Sequence, residues 1–192
     1  MVKALFKFDK HIPDVATVVD TTLNSGILRE LSPFILPAPP ARNLENLWQF
    51  SKVYPNQVYA NGEPTIEWES WRRQGWNDHR AHRYPMGKGA KPLYSFWQGK
   101  HLNYIEARKQ IYAPEYAKNV VRTEAFNFLS RLYEDGDMIL LDYDAYDHEK
   151  LGMTLVDVIN CPTRKMGHAF VLIMILTGCL NECIAQKEYS VL

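Results

Sequence analysis

The chain has no excess of charge of either sign. Its 22 basic side chains (Lys and Arg) are balanced by 22 acidic ones. It therefore lacks the overall positive field that attracts nucleic acid, although a local basic patch is still compatible with this balance.

Cysteines are few, and no apolar run is long. The three cysteines, Cys161, Cys179 and Cys183, show no metal-binding spacing, so we expect a reduced, cytoplasmic protein with no metal or other cofactor. The longest apolar run covers residues 169 to 176. It is shorter than the roughly 20 residues that span a bilayer. Residues 1 to 10 also carry too many charges for a signal peptide, so no membrane association is expected.

The composition instead suits one globular domain. The 192 residues are 46% hydrophobic and 12% aromatic, which is enough for a sizeable core. We predict a single α+β domain, mostly helical, around a small β-sheet. Strands are predicted at residues 15–19 and 138–141, and helices at residues 43–54, 66–76, 102–112, 114–122, 124–135, 154–160 and 164–176. Residues 55 to 100 are expected to be rich in loops.

The helix predicted over residues 43 to 54 carries the most informative pattern. Asn43 is a suitable cap for its first turn. Glu45, Gln49 and Lys52 follow at spacings of four and three, which places an acid, an amide and an amine on one helical face. Trp48 lies on the adjoining apolar face. A solvated helix face explains this polar stripe as well as a cleft does.

Two other stretches bring polar groups together. The apolar run at residues 138–141 is followed by Asp142, Tyr143 and Asp144, and carboxylates at a strand end occur both in catalysis and in ordinary turns. Residues 77–93 contain two arginines, two lysines and two glycines. Arg83 and Lys88 are candidates for a phosphate site beside Gly87, but the spacing is not that of a P-loop, so a solvated basic loop is the alternative.

Taken in order, these motifs resemble the NADAR family of N-glycosidase-like proteins linked to NAD and ADP-ribose. LSPF at residues 31–34 and ENLWQFSK at residues 45–52 are similar to the family's aromatic turn and its Glu-x-x-x-Gln-x-x-Lys helix. The resemblance covers residues 31 to 176. Its further matches are Met86-Gly87, Lys91-Pro92-Leu93, Lys109, Thr123, Asp142 and Met166-Gly167.

The chain departs from the family pattern at two places. The Trp-Gly that the family usually shows after the acidic strand end is missing after Asp142, and Arg164-Lys165 stand where the family usually has an asparagine. The sequence is therefore similar to a divergent member of the family.

The resemblance implies a single NADAR-like domain that hydrolyses an N-glycosidic bond. The implied substrates are N-ribosyl or ADP-ribosyl nucleotide conjugates, including ADP-ribosylated nucleic acid and ribosylamino-pyrimidine phosphates. The catalytic candidates are Glu45, Lys52, Lys109 and Asp142, with Lys52 preferred as a nucleophile because Glu45 and Gln49 flank it. The candidates for substrate binding are Trp48, Gln49, Arg83, Met86, Gly87, Lys88, Trp97 and Tyr143.

Two other functions stay open at this point. A DNA glycosylase is one, since aromatic side chains such as Trp76 and Trp97 interleave the basic stretch at residues 72–100. Zero net charge argues against it. A non-catalytic ADP-ribose or nucleotide-binding module is the other, and the missing Trp-Gly favours it. The sequence leaves the oligomeric state open.

Overall fold

The computed structural model describes residues 1–12 and 17–185. Its strands are β1 (Val2–Phe6), β2 (Thr17–Asp20), β3 (Lys52–Val53), β4 (Tyr94–Trp97), β5 (Lys100–Leu102) and β6 (Met138–Asp142). Its α-helices are α1 (Leu44–Phe50), α2 (Ile66–Asn77), α3 (Tyr104–Ala107), α4 (Ala113–Val120), α5 (Glu124–Asp135), α6 (Leu155–Asn160), α7 (His168–Leu176) and α8 (Leu180–Ala185). The α+β class is confirmed, with two small sheets in place of the one expected.

The first sheet is parallel and has β6 at its centre. β1 and β2 flank it, with Val2 and Thr17 both opposite Met138. Every residue of β6 is buried, which explains why its sequence is continuously apolar up to Asp142. The buried strand expected at residues 138–141 is confirmed. Of the strand expected at residues 15–19, residues 15 and 16 lie outside the described residues, and the observed strand begins at Thr17.

The second sheet is antiparallel and changes the interpretation of residues 43–54. The predicted helix stops at Phe50, and the chain enters β3, where Lys52 lies opposite Ser95. Ser51 Oγ donates to the carbonyl of Trp48, 2.9 Å away, and the Ser51 carbonyl accepts from the amide of Phe96 at 2.7 Å. Strand pairing therefore replaces the last helical turn. The start of the helix is confirmed, and its predicted end at residue 54 is wrong.

Residues 104 to 120 form one continuous helical segment, where the sequence predicted two helices separated at Pro114. A π-helical turn, Arg108–Tyr112, joins α3 to α4. The amide of Ala113 donates to the carbonyl of Arg108, five residues earlier. This wider turn accommodates Pro114, which has no N–H, without ending the helix.

The last long helix begins later than predicted. Residues 164–167 are not helical, and α7 starts at His168 with Gly167 as its cap. The amide of Gly167 donates to the carbonyl of Asp144 at 3.1 Å, which draws the segment toward β6 before the helix can start. Residues 168–174 are buried, so the expected core helix is confirmed. None of the helices within the described ranges is long and apolar enough to cross a membrane.

Candidate active site

A cavity of about 490 Å³ lies where the carboxyl end of β6, α1 and the start of α7 meet. It collects residues from distant parts of the chain. The predicted site residues on its wall are Glu45, Trp48, Gln49, Lys52, Arg83, Asp142 and Tyr143. The position resembles the usual one for ligands in sheets with parallel strands, at the carboxyl ends of the strands.

The polar stripe of α1 and β3 faces this cavity. Gln49 Nε2 donates to Glu45 Oε1 at 2.9 Å, and Lys52 Nζ donates to Gln49 Oε1 at 2.7 Å. Gln49 therefore bridges the acid and the amine. Lys52 Nζ also lies 4.8 Å from the centre of the Trp48 ring, a cation–π distance. Glu45, Gln49 and Lys52 are therefore joined by hydrogen bonds although Lys52 lies on β3 and not on α1.

Burial shifts the pKa values of Glu45 and Lys52, the two outer members of this hydrogen-bonded stripe. Burial raises the pKa of Glu45, although the hydrogen bond from Gln49 and the charge of Lys52 oppose the shift. Burial lowers the pKa of Lys52 to about 8, and the nearby Lys165 charge adds to this shift while Glu45 opposes it. A lysine with that pKa supplies neutral amine, the nucleophilic form, near physiological pH.

The cost of burying this amine gives a testable result. Lys52→Met is expected to raise the free energy of unfolding by about 1 to 2 kcal/mol at pH 7. The reason is that burial destabilises the protonated amine by more than its contacts with Gln49 and Trp48 stabilise it. The pKa is about 8 in the fold against an ordinary 10.5. The unfolded chain thus holds more protons between these values, and wild-type stability rises with pH there.

The difference in free energy of unfolding between Lys52→Met and wild type should therefore decrease between pH 8 and 10.5. Urea titrations across this range measure it. Lys100→Met, which removes an exposed lysine, is the control and should show no such trend. A Lys52→Met protein that is less stable than wild type at pH 7 would contradict the expectation.

Asp142 is enclosed by hydrogen-bond donors of the protein. His168 Nδ1 lies 3.0 Å and the Ala169 amide 3.1 Å from Asp142 Oδ2, and the Asp144 amide lies 3.2 Å from Oδ1. Burial alone would raise the pKa of Asp142, yet the charge and hydrogen bond of His168 hold it at about 2. Asp142 thus ties the end of β6 to the start of α7.

His168 is the charged partner in this pair. Its Nε2 lies 2.9 Å from the carbonyl of Thr21, which can only accept. Burial opposes a charged ring, but the carboxylate of Asp142 and this carbonyl raise the pKa of His168 above its ordinary value. Both ring nitrogens face acceptors, so the geometry and the raised pKa both favour the doubly protonated imidazolium form.

Gly167 is required because Asp142 lies so close to it. A Cβ on this residue would fall 2.2 Å from Asp142 Oδ2 and 2.7 Å from its Cγ. No side chain fits there without moving the carboxylate. The Met166-Gly167 motif therefore has a packing reason at this site.

Arg83 reaches the cavity because its loop is fixed to α1. Asn46 Nδ2 donates to the carbonyls of Asp78 and Arg80 at 3.0 and 2.9 Å, and Asn46 Oδ1 accepts from the His82 amide at 2.9 Å. All the hydrogen-bonding groups of one buried amide thus hold the segment that precedes Arg83.

Other predicted residues lie away from the cavity wall. Met86, Gly87 and Lys88 belong to the same loop but do not line the cavity, and Gly87 and Lys88 are exposed. Trp97 packs edge-on against Trp76, with ring centres 6.2 Å apart. These positions do not support the predicted contacts with substrate.

Lys109 also lies outside the cavity lining. It is buried in the π-helical turn, where its charge influences the Cys183 thiol. Of the two candidate lysines, the structure brings only Lys52 to the cavity wall.

Several lining residues were not among the predicted site residues. Among them are Asp144 and Lys165, together with Tyr104, Arg108, Tyr112 and His168. Arg108 is 2% exposed, and its Nη1 donates to the carbonyl of Cys161 at 2.7 Å, beyond the end of α6. The sequence could have indicated Asp144 as a site residue, because it follows the buried strand. The others depend on contacts between segments distant in sequence.

No family model matches this chain, and no curated protein or solved structure matches it either. The NADAR resemblance therefore stays a prediction from the motifs. Across residues 1–12 and 17–185, no group of three or more His, Cys, Asp or Glu side chains is arranged to hold a metal ion.

Proposed function

We propose that the protein is an N-glycosidase that hydrolyses the N-glycosidic bond of an N-ribosyl or ADP-ribosyl nucleotide conjugate. The observation that carries the proposal is the hydrogen-bonded chain Glu45–Gln49–Lys52 on the cavity wall. It offers a carboxylate and a depressed-pKa amine within one small site, and these are the groups that such a cleavage uses.

A carboxylate can act through water. Breaking the bond between C1′ and nitrogen leaves positive charge on the sugar, which the Glu45 carboxylate stabilises. The same carboxylate takes a proton from a water that attacks C1′, and the leaving nitrogen takes up a proton from solvent, to which Glu45 then returns its own. The products are the free ribosyl sugar and the released amine or base. The raised pKa of Glu45 makes it a better base than an ordinary glutamate.

The amine offers a second route through the same groups. Neutral Lys52 Nζ attacks C1′ and displaces the nitrogen, which leaves with a proton. The sugar ring then opens to an imine between Lys52 and C1′, and water hydrolyses the imine to restore the amine. Gln49 supports either route, because it holds Glu45 and Lys52 at fixed distances.

Geometry favours Glu45 and Lys52 among the four catalytic candidates. The Asp142 oxygens already accept from His168, Ala169 and Asp144, so we assign Asp142 a positioning role. Lys109 does not line the cavity.

The test is incubation with ADP-ribosylated DNA and other ADP-ribose conjugates in the presence of borohydride, followed by intact mass. Borohydride reduces an imine to a stable adduct. We expect released product, and an adduct that Lys52→Arg abolishes would assign the amine route. Lys109→Arg is the matched control and should keep the adduct. Product without an adduct assigns the water route through Glu45.

Two outcomes would overturn the proposal. Binding of ADP-ribose without any product would make the chain a binding module. Salt-dependent binding of unmodified DNA with release of a base would make it a DNA glycosylase.

A further inference from the structure

Two cations and one carboxylate meet on one side of the cavity. Arg83 Nη2 lies 2.6 Å from Asp144 Oδ2, and Lys165 Nζ lies 3.6 Å from Asp144 Oδ1. Each oxygen of the carboxylate thus faces one cation. All three side chains line the cavity, so a ligand there meets this group directly.

The cavity wall carries a positive surplus that the whole chain lacks. Its described lining includes four Lys or Arg side chains and three carboxylates, and a histidine adds a fifth basic group, whereas the chain as a whole has 22 Lys and Arg against 22 Asp and Glu. The basic members are Lys52, Arg83, Arg108, Lys165 and His168, and the acidic members are Glu45, Asp142 and Asp144.

Most of these cations are already engaged. Arg108 donates to backbone carbonyls, and His168 pairs with Asp142. Lys52 is linked to Glu45 through Gln49. Arg83 and Lys165 are left to share the single carboxylate of Asp144. One of the two surplus charges therefore falls on this pair, and the other stays on Arg108, whose guanidinium is already occupied by backbone carbonyls.

We propose that Arg83 and Lys165 form a phosphate subsite, and that Asp144 is its resident counter-ion, which the ligand phosphate displaces. A phosphate brings more charge and more acceptor oxygens than a carboxylate, and a guanidinium binds it through two parallel hydrogen bonds. The inference rests on the proposed function for the sugar half of the ligand. It assigns the residues that bind the phosphate of that nucleotide conjugate.

The local structure allows this exchange without a change of fold. The Asn46 contacts hold the loop before Arg83, and the backbone of Asp144 is fixed to Asp142 and Gly167. Only the Asp144 side chain has to turn away, and it is 27% exposed. Lys165 is 63% exposed, so it can follow the phosphate at little cost.

Calorimetric titration at constant ionic strength tests the subsite. The probes are ribose 5-phosphate and ADP-ribose, with adenosine as the phosphate-free ligand. Asp144→Asn keeps the shape of the side chain and removes the competing charge, so it should tighten both phosphorylated probes by about fivefold. Arg83→Met should weaken them by about tenfold or more and Lys165→Met by about threefold. Adenosine binding should not respond, and Lys100→Met, an exposed charge outside the cavity, should leave all three ligands unchanged.

The signs of these effects decide the result. Asp144→Asn that weakens the phosphorylated probes or leaves them unchanged overturns the subsite. So does an equal response by adenosine, or a wild-type protein that binds neither phosphorylated probe at millimolar concentration.

The proposed N-glycosidase activity fails separately. If the expected affinities occur but no conjugate is cleaved, the phosphate subsite stands and the N-glycosidase does not. If conjugates are cleaved but Asp144→Asn does not change the affinity for the phosphorylated probes, the N-glycosidase stands and the phosphate subsite does not.

Discussion

Replacing Asp142 with asparagine is expected to lower the free energy of unfolding by about 3 to 5 kcal/mol, because removing one member of a buried pair leaves the other charge uncompensated. The remaining charge is the His168 imidazolium, which is 5% exposed. The substitution also places an amide N–H₂ either at the Oδ2 position, where both His168 Nδ1–H and the Ala169 amide now donate, or at the Oδ1 position, where the Asp144 amide donates. Urea denaturation at pH 5.5 measures the effect.

The pH dependence identifies the pair as the cause. The pKa of Asp142 is about 2 in the fold against an ordinary 3.8, so its stabilisation is present above pH 3.8 and is lost as pH falls toward 2. The pKa of His168 is raised from 6.5, so its stabilisation is complete below pH 6.5 and is lost as pH rises through the higher folded value. The difference in free energy of unfolding between wild type and Asp142→Asn should therefore be largest between pH 3.8 and 6.5.

An exposed pair of the same kind provides the control. His82 Nε2 lies 2.7 Å from Asp78 Oδ2, but both side chains are in contact with solvent. Asp78→Asn should leave the free energy of unfolding nearly unchanged, since exposed ion pairs contribute little. A similar loss at both positions, or a loss at Asp142 that does not vary with pH, would contradict the buried-pair explanation.

Local patterns in the sequence predicted the grouping of the polar stripe correctly but placed the end of its helix too late. Glu45, Gln49 and Lys52 were grouped by helical spacing, yet Lys52 lies on β3. The group survives because Lys52 Nζ still reaches Gln49 Oε1 after the chain leaves the helix. A lysine side chain is long enough to reach its partner even where the predicted helix end is wrong by one turn. The end of α1 itself depends on pairing with β4, which no local pattern reveals.

The remainder of the cavity depends on contacts between distant segments. Arg108 enters the wall because a π-helical turn carries it there and the carbonyls beyond α6 hold it. The role of His168 becomes evident only when Asp142 and the Thr21 carbonyl are placed beside it. Lys165 stood out in the sequence only as a departure from the family pattern. Its role depends on Asp144, which belongs to another segment.

The largest expected effect on activity is at Glu45. Glu45→Gln should reduce kcat for the ribosyl conjugate by about 10²- to 10⁴-fold, the usual contribution of a general base or of charge stabilisation in the transition state. The shape of the side chain is kept, so KM should change little. Steady-state kinetics with a conjugate that wild type cleaves measures both constants. Glu63→Gln is the matched control, since its parent side chain is 54% exposed and lies outside the cavity.

The pH profile of the same variant separates the two routes. If Lys52 attacks, wild-type activity rises with pH through about 8, the pKa of its amine. The Glu45 charge raises that pKa, so Glu45→Gln should move the rise to lower pH while turnover falls. If Glu45 activates water, the rise follows the pKa of Glu45 and disappears in the variant. Glu45→Gln that keeps wild-type kcat and the same profile would remove Glu45 from the mechanism and leave Lys52 as the only reactive group of the stripe.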